Sequence, residues 1–187
     1  LRRYEIARKY LDDLENLFPD YAWTYYLIGR IYFDKGEFEH AHLSLQKALQ
    51  CAVRTPELIQ KHVLPVIEKG NTCDARRITS FMWQSALSHN NEFQVKALKN
   101  LALELCGEIF QRTGKQAESI KYYLEAVNNV SIPGCIYKLS PLLLQSAAFD
   151  LLAEIPAKGV EDSPYDSIVV FYYAYALIQL NQKRDAV

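Results

Sequence analysis

The chain has 187 residues, half of them hydrophobic, with 21 Lys+Arg against 22 Asp+Glu and a formal net charge of −1. That length and apolar content support a sizeable buried core and argue against disorder. The balanced charge lacks the positive field on which phosphate-dominated binding rests, so nucleic acid is disfavoured as a partner. Charges interrupt the apolar residues every few positions, and even the most apolar stretch, 168–178, is too short for a membrane span and suits a buried helix.

Leu1 is not followed by a charged-then-apolar leader, and Cys51, Cys73, Cys106 and Cys135 are too widely separated to form a close metal or redox pair. Four reduced thiols packed as small apolar groups fit an intracellular protein, cytoplasmic or nuclear. Asn129-Val130-Ser131 matches a glycosylation acceptor, a short pattern that carries no weight without secretion.

Taken from the start, Tyr4, Ala7, Leu11 and Leu14 lie at helical spacing and run to Pro19. Ala7, Ala41 and Ala75 then follow one another at intervals of 34 residues, a period that also relates Tyr4 to Phe38, Leu11 to Leu45 and Gly36 to Gly70. A fixed period of this length is the mark of a two-helix repeat array. Residues 21–52 predict two amphipathic helices around the turn Asp34-Lys35-Gly36, with small Gly29 and Ala41 letting them approach and Tyr32, Phe38 and Leu45 filling the space around the contact. In the next unit Gly70 and Ala75 keep register, but Val63 stands where Gly29 stood and Thr79 replaces a large apolar residue, so that unit is degenerate.

After the polar break Ser88-His89-Asn90-Asn91, the positions Gly107, Phe110, Gly114, Ser119, Tyr123 and Ala126 repeat the pattern, with Ser119 in place of Ala and roughly ten residues late for the period. Ser140-Pro141 predicts a helix start, and Leu143, Leu144, Ala147, Leu151 and Leu152 give an apolar stripe over 141–154. A loop over 156–164 leads to a helix over 166–180, whose Ala174 and Leu177, followed by Asn181 and Ala186, again fit the first part of a repeat unit whose second helix is just beginning.

Tyr25, Ile28-Gly29, Tyr32, Gly36, Phe38, Ala41, Leu45 and Ala48 stand at the signature spacings of the tetratricopeptide repeat, and the chain resembles that family. The resemblance implies an all-α, tetratricopeptide-type helical-repeat superhelix of about ten antiparallel helices with irregular repeats. Its parts are the second helix of a preceding repeat (1–19), a good repeat (20–53), a degenerate one (55–88), a third (92–131), a nonrepeat helix (139–155) and the start of a further repeat (165–187). Solenoids close with polar caps. Both ends here cut through repeats, so a segment of a longer protein is expected.

The search for chemistry returns little. Gly114-Lys115 lacks the glycine five residues earlier and the following Ser or Thr of a phosphate loop. His40 and His42, two apart on a helix, point in divergent directions and do not readily grip one ion. His62 and His89 sit alone, without a nucleophile motif. The expectation is no enzyme activity, no cofactor and no metal. Arg76-Arg77, Lys96, Lys99, Arg112, Lys115 and Lys121 are scattered as on solvated helix faces, without interleaved aromatics.

In tetratricopeptide arrays the first helices line a concave groove. The matching positions are Trp23, Tyr26, Arg30 and Phe33, then Gln60 and Leu64, then Glu104, Glu108 and Gln111, then Phe171 and Tyr175. Aromatics and arginine are the residue types enriched at binding hot spots. The carboxylate clamp of chaperone-binding members is missing, because Tyr26, Arg30, Leu64 and Leu101 occupy its positions.

The order of good repeat, degenerate repeat, insertion, good repeat and nonrepeat helix resembles the N-terminal half of the tetratricopeptide subunits of the anaphase-promoting complex. Its local echoes are residues 28–33, 122–152 and 173–176. The resemblance implies a homodimerising, non-catalytic scaffold in a cell-cycle ubiquitin ligase, with protein or peptide partners. The alternatives are an adaptor in another multiprotein complex, an RNA-binding helical repeat, or the regulatory array of an enzyme whose catalytic domain lies elsewhere.

Overall fold

The computed structural model describes residues 2–54, 91–129, 133–162 and 166–185, and every regular element among them is an α-helix. In chain order these are α1 (Arg2–Leu17), α2 (Ala22–Asp34), α3 (Phe38–Cys51), α4 (Asn91–Arg112), α5 (Gln116–Asn129), α6 (Pro133–Gln145), α7 (Phe149–Asp162) and α8 (Ser167–Asp185). Among the described residues the fold is all-α and built of helical hairpins, as in a helical repeat. The degenerate repeat over 55–88, with Gln60, Leu64, Cys73, Arg76-Arg77 and His62, lies outside the described residues, as does His89.

The helices fall into two compact units, Leu1–Leu105 and Cys106–Val187. In the first, Leu11 and Leu14 of α1, Tyr25 and Ile28 of α2, Ala48 and Cys51 of α3, and Leu98 of α4 form one buried cluster. Each large side chain withdrawn from water there contributes about 1.5–3 kcal/mol. Gly29 sets the spacing of α2 and α3: a Cβ at that position would stand 2.9 Å from Leu45 Cγ and 3.2 Å from the Ala41 carbonyl oxygen. In the second unit, Tyr123, Ile136, Leu139, Leu143, Leu152 and Val169 are fully buried, and Gly107 plays the part of Gly29, a Cβ there falling 2.8 Å from the Tyr123 ring.

Two turns follow the glycine signature. Gly36 (φ 80°) and Gly114 (φ 75°) adopt the left-handed conformation that closes a helix. Glu37 N–H donates to the Tyr32 carbonyl at 2.9 Å and Gly36 N–H to that of Phe33 at 2.9 Å; after α4, Lys115 N–H donates to Phe110 at 2.8 Å and Gly114 N–H to Gln111 at 3.2 Å.

The structure departs from the predicted helix boundaries in three places. Residues 141–154 are two helices and not one: α6 starts at Pro133 and runs through Pro141, and Ser140 is a fully buried mid-helix residue rather than a cap. The break comes at Ala147, at φ 54°, where Ala148 N–H donates to Leu143 and Ala147 N–H to Leu144. It is the same closing motif with alanine in the glycine seat. Helix α7 carries Pro156 and continues to Asp162, through much of the predicted loop. Helix α8 extends unbroken to Asp185, past the predicted end at Leu180. Its start is fixed by Asp166, whose Oδ1 accepts from Ile168 N–H at 3.1 Å and Val169 N–H at 3.2 Å while Oδ2 accepts from the Tyr137 hydroxyl. That phenol, helped by the two amides, holds the Asp166 carboxyl below the usual aspartate range.

Candidate functional site

Helix α2 presents two faces of differing chemistry. Trp23, Tyr26, Arg30 and Phe33 point to one side; Tyr25, Ile28 and Tyr32 point to another, roughly 150° round the axis by helical periodicity.

The first face is the predicted binding surface. Trp23 meets Tyr26 edge-on at 5.6 Å, and the Arg30 guanidinium lies 5.7 Å over the Phe33 ring while pairing with Asp34 at 3.3 Å. Phe33 packs against Phe38 at 5.8 Å. Trp23 (9% exposed) and Phe33 (5%) are buried, which leaves half-buried Tyr26 and exposed Arg30 as the accessible members of the predicted set on this helix. Glu104 is close enough to be felt by Tyr26. Burial pushes the Tyr26 hydroxyl above its ordinary range, Glu104 adds to the rise and Arg30 opposes it.

Glu108, Gln111, Phe171 and Tyr175 belong to the second unit. Glu108 is occupied within the fold, at 2.9 Å from Arg112 and 3.2 Å from Lys138. Its burial raises the carboxyl, but the two cations outweigh that and hold it below the usual glutamate range. Gln111 accepts from the Tyr123 hydroxyl at 3.3 Å. Phe171 is 59% exposed and stacks loosely with half-buried Tyr175, which also meets Phe149. Gln60 and Leu64 lie outside the described residues.

The second face of α2 forms the floor of a cavity of about 250 Å³ whose walls are α1 and α3. Tyr25, Ile28 and Tyr32 line its base, with Arg8 and Glu15 from α1 and His40 and Lys47 from α3. The Lys47 ammonium stands 4.0 Å from the Tyr25 ring centroid and 3.3 Å from Glu15; Arg8 lies 5.6 Å over the Tyr32 ring and 2.8 Å from Asp12. His40 packs on Tyr32 at 5.3 Å, with Glu37 3.6 Å from its Nδ1. Tyr25 and Glu15 hold the Lys47 ammonium above its ordinary range against its own partial desolvation. None of these residues was singled out from the sequence as a site. Tyr25 and Tyr32 read as repeat-packing positions, and the cations gain meaning only once α1 and α3 flank α2.

Among the described residues no group of three His, Cys, Asp or Glu side chains is placed to hold a metal ion. Cys51, Cys106 and Cys135 are buried thiols. Burial pushes Cys106 up to about 12, so it is no nucleophile at neutral pH. No helix among the described residues is long and apolar enough to cross a membrane.

No family model and no curated protein matches the chain. Among solved structures it is similar to NprR, crystallised in complex with its cognate peptide NprX. That match covers 100% of this chain and 69% of NprR, at 12% sequence identity and a TM-score of 0.35.

Proposed function

We propose that this protein is a non-catalytic scaffold of the tetratricopeptide type that holds protein or peptide partners along its helices. The observation that carries the reading is the apolar surface exposed on α1 and α8. On α1, Ile6, Tyr10 and Leu17 are 52%, 68% and 63% exposed and share one stripe; on α8, Phe171 and Ile178 are 59% and 54% exposed. Apolar side chains grouped on helix faces mark sites of association.

The layout resemblance takes the reading one step further, to a homodimerising scaffold subunit of a cell-cycle ubiquitin ligase. Two measurements on the full-length protein test both levels: sedimentation across a concentration series, and affinity purification with identification of the proteins retained. Concentration-dependent self-association with recovery of anaphase-promoting complex subunits supports the specific reading. Recovery of a different stable complex removes it and keeps the general one. A strictly monomeric protein that retains nothing reproducibly overturns both.

A further inference from the structure

Helix α8 holds no charged residue from Ser167 to Asn181, and apolar side chains stand on both its sides. Val169 and Ala176 are buried, on the side from which α8 packs chiefly against α7. Roughly 150° round the axis, Val170, Phe171, Leu177 and Ile178 are 38%, 59%, 41% and 54% exposed, with exposed Ala174 among them. A helix that is apolar all round is one that something covers.

The exposed face has a symmetry of its own. Ala174, the smallest residue on it, lies at the middle. Leu177 and Ile178 follow it by three and four residues, Phe171 and Val170 precede it by the same numbers, and seven residues away on either side stand the polar, exposed Ser167 and Asn181. Size and polarity therefore repeat in both directions from one point, and a surface of this kind is complementary to itself. Turned by a two-fold axis through Ala174, a second α8 lies antiparallel to the first, with Phe171 opposite Leu177, Val170 opposite Ile178 and Ser167 opposite Asn181. The small central residue lets the helix axes approach, the large ones fill the space beyond, and antiparallel alignment sets the two helix dipoles favourably. A partner of different sequence has no need of that symmetry. The absence of charge also spares two identical faces the repulsion of like charges.

We propose that the outer face of α8 is a two-fold contact between copies of this protein, centred on Ala174. The inference rests on the interaction-scaffold reading above and names both the face and its occupant. Phe171 is the anchor: it is already held, edge-on to Tyr172 at 5.4 Å and against Tyr175 at 6.2 Å, so it loses little freedom on being covered. At about 150–250 Å² for a fully exposed large side chain, the exposed fractions of the face come to roughly 400 Å² per copy. With its polar ends the pair covers about 1,000 Å² in all, the lower bound of a specific interface, which sets a reversible contact with a Kd on the order of 10 μM.

Sedimentation of the full-length protein across a concentration series compares the wild type, Phe171→Glu, Leu177→Lys and an equimolar mixture of the two variants. The wild type self-associates. Each variant alone is weaker by about ten-fold or more, because a lone charge is buried against an apolar residue of the other copy. The mixture returns to within about three-fold of the wild type, since the introduced carboxylate and ammonium then face one another across the seam. Recovery on mixing two variants that each fail alone is a result no loss of folding produces. Ala174→Cys, on the axis, gives a disulfide-linked dimer on mild oxidation.

Self-association that survives both charge substitutions lies on another face and overturns the proposal, the scaffold reading standing. Loss in both variants with no recovery on mixing, and no linked dimer from Ala174→Cys, overturns the antiparallel pairing. A monomeric wild type that still retains other proteins overturns the second copy as occupant: a thiol at position 174 open to maleimide then leaves the face to a different partner, and a closed one shows it covered within its own chain. A monomeric wild type that retains no partner takes the scaffold reading down as well.

Discussion

The hairpins α2–α3 and α4–α5 solve one packing problem in two chemistries. In each, a glycine on the first helix lies under a large side chain of the second: Gly29 under Leu45, Gly107 under Tyr123. The first contact is apolar throughout, with Ala41 beside it fully buried. The second is tied by polar links, since Ser119 Oγ donates to the Gly107 carbonyl at 2.8 Å and the Tyr123 hydroxyl to Gln111. The repeat specifies closeness of approach and leaves open how the contact is filled. Leucine can shift among rotamers to accommodate a neighbour, whereas a buried ring moves as a rigid plate, so the two hairpins should respond differently to the same perturbation.

The largest effect comes from removing the plug. Tyr123→Ala should cost about 3–5 kcal/mol and Leu45→Ala about 2–5 kcal/mol. Because the chain has two compact units, amide hydrogen exchange in α5 and in α3 is the suitable measurement. Equal loss of protection in both helices after either substitution would show that the hairpins are not separate in stability. High pH makes the next distinction. Cys106 stands in α4 where α2 has Ile28, and its thiol is pushed up to about 12, first by burial and further by Glu125. An unfolded thiol ionises near 9. Between those values the unfolded state binds fewer protons than the native one, so stability falls as pH rises, by up to about 1.4 kcal/mol per pH unit, and is fully present below the unfolded value. Urea titrations from pH about 8 to about 11 should show this slope, and Cys106→Ala should flatten it.

Filling the contact tests its tightness. An alanine at 107 needs the Tyr123 ring to move, since a Cβ would stand within 2.9 Å of three ring carbons, and overpacking of that kind costs about 1–3 kcal/mol. Gly29→Ala should cost less, because Leu45 can yield by a change of rotamer; the better helix propensity of alanine returns up to about 1 kcal/mol at either site. Thermal melts that rank the two in the opposite order would mean that ring rigidity is not what separates the hairpins. The polar link is weaker. Ser119→Ala converts the second hairpin towards the first and should lose about 0.5–1.5 kcal/mol for one buried hydrogen bond, checked by the urea midpoint at unchanged slope.

Much of this architecture was legible in the sequence, because the features that carry it are compositional. A glycine that must lie under a neighbour, a glycine that must close a helix and a large residue that must fill the gap recur at fixed spacing, and Gly29, Gly36 and Leu45 return as Gly107, Gly114 and Tyr123. Pro141 misled because proline favours a helix start. Here it sits inside α6, where the carbonyl of Tyr137 loses its usual donor. The candidate surface was legible only in part. Periodicity gives the side of α2 to which Trp23 and Phe33 point, but neither their burial nor the register that brings Arg8 and Lys47 over the rings of Tyr32 and Tyr25. That register comes from the packing of three helices and leaves no mark within one.

The smallest expected effect concerns the turn the sequence concealed. Helices α2, α4 and α6 close with the same pair of backbone hydrogen bonds, yet the left-handed seat holds Gly36, Gly114 and then Ala147. At Gly36 and Gly114 no atom lies near an added Cβ, so alanine would meet only the intrinsic penalty of a left-handed conformation, about 1 kcal/mol. The same penalty is already present at Ala147. Ala147→Gly should therefore stabilise the protein, by about 0.5–1 kcal/mol, because relief of left-handed strain is partly offset by the greater freedom of glycine in the unfolded chain. The thermal midpoint should rise for Ala147→Gly and fall for Gly36→Ala and Gly114→Ala. A fall for Ala147→Gly would mean that contacts of the alanine methyl outweigh the strain, and that the α6–α7 turn is shaped by its packing rather than by the helix-closing motif it shares with the other two.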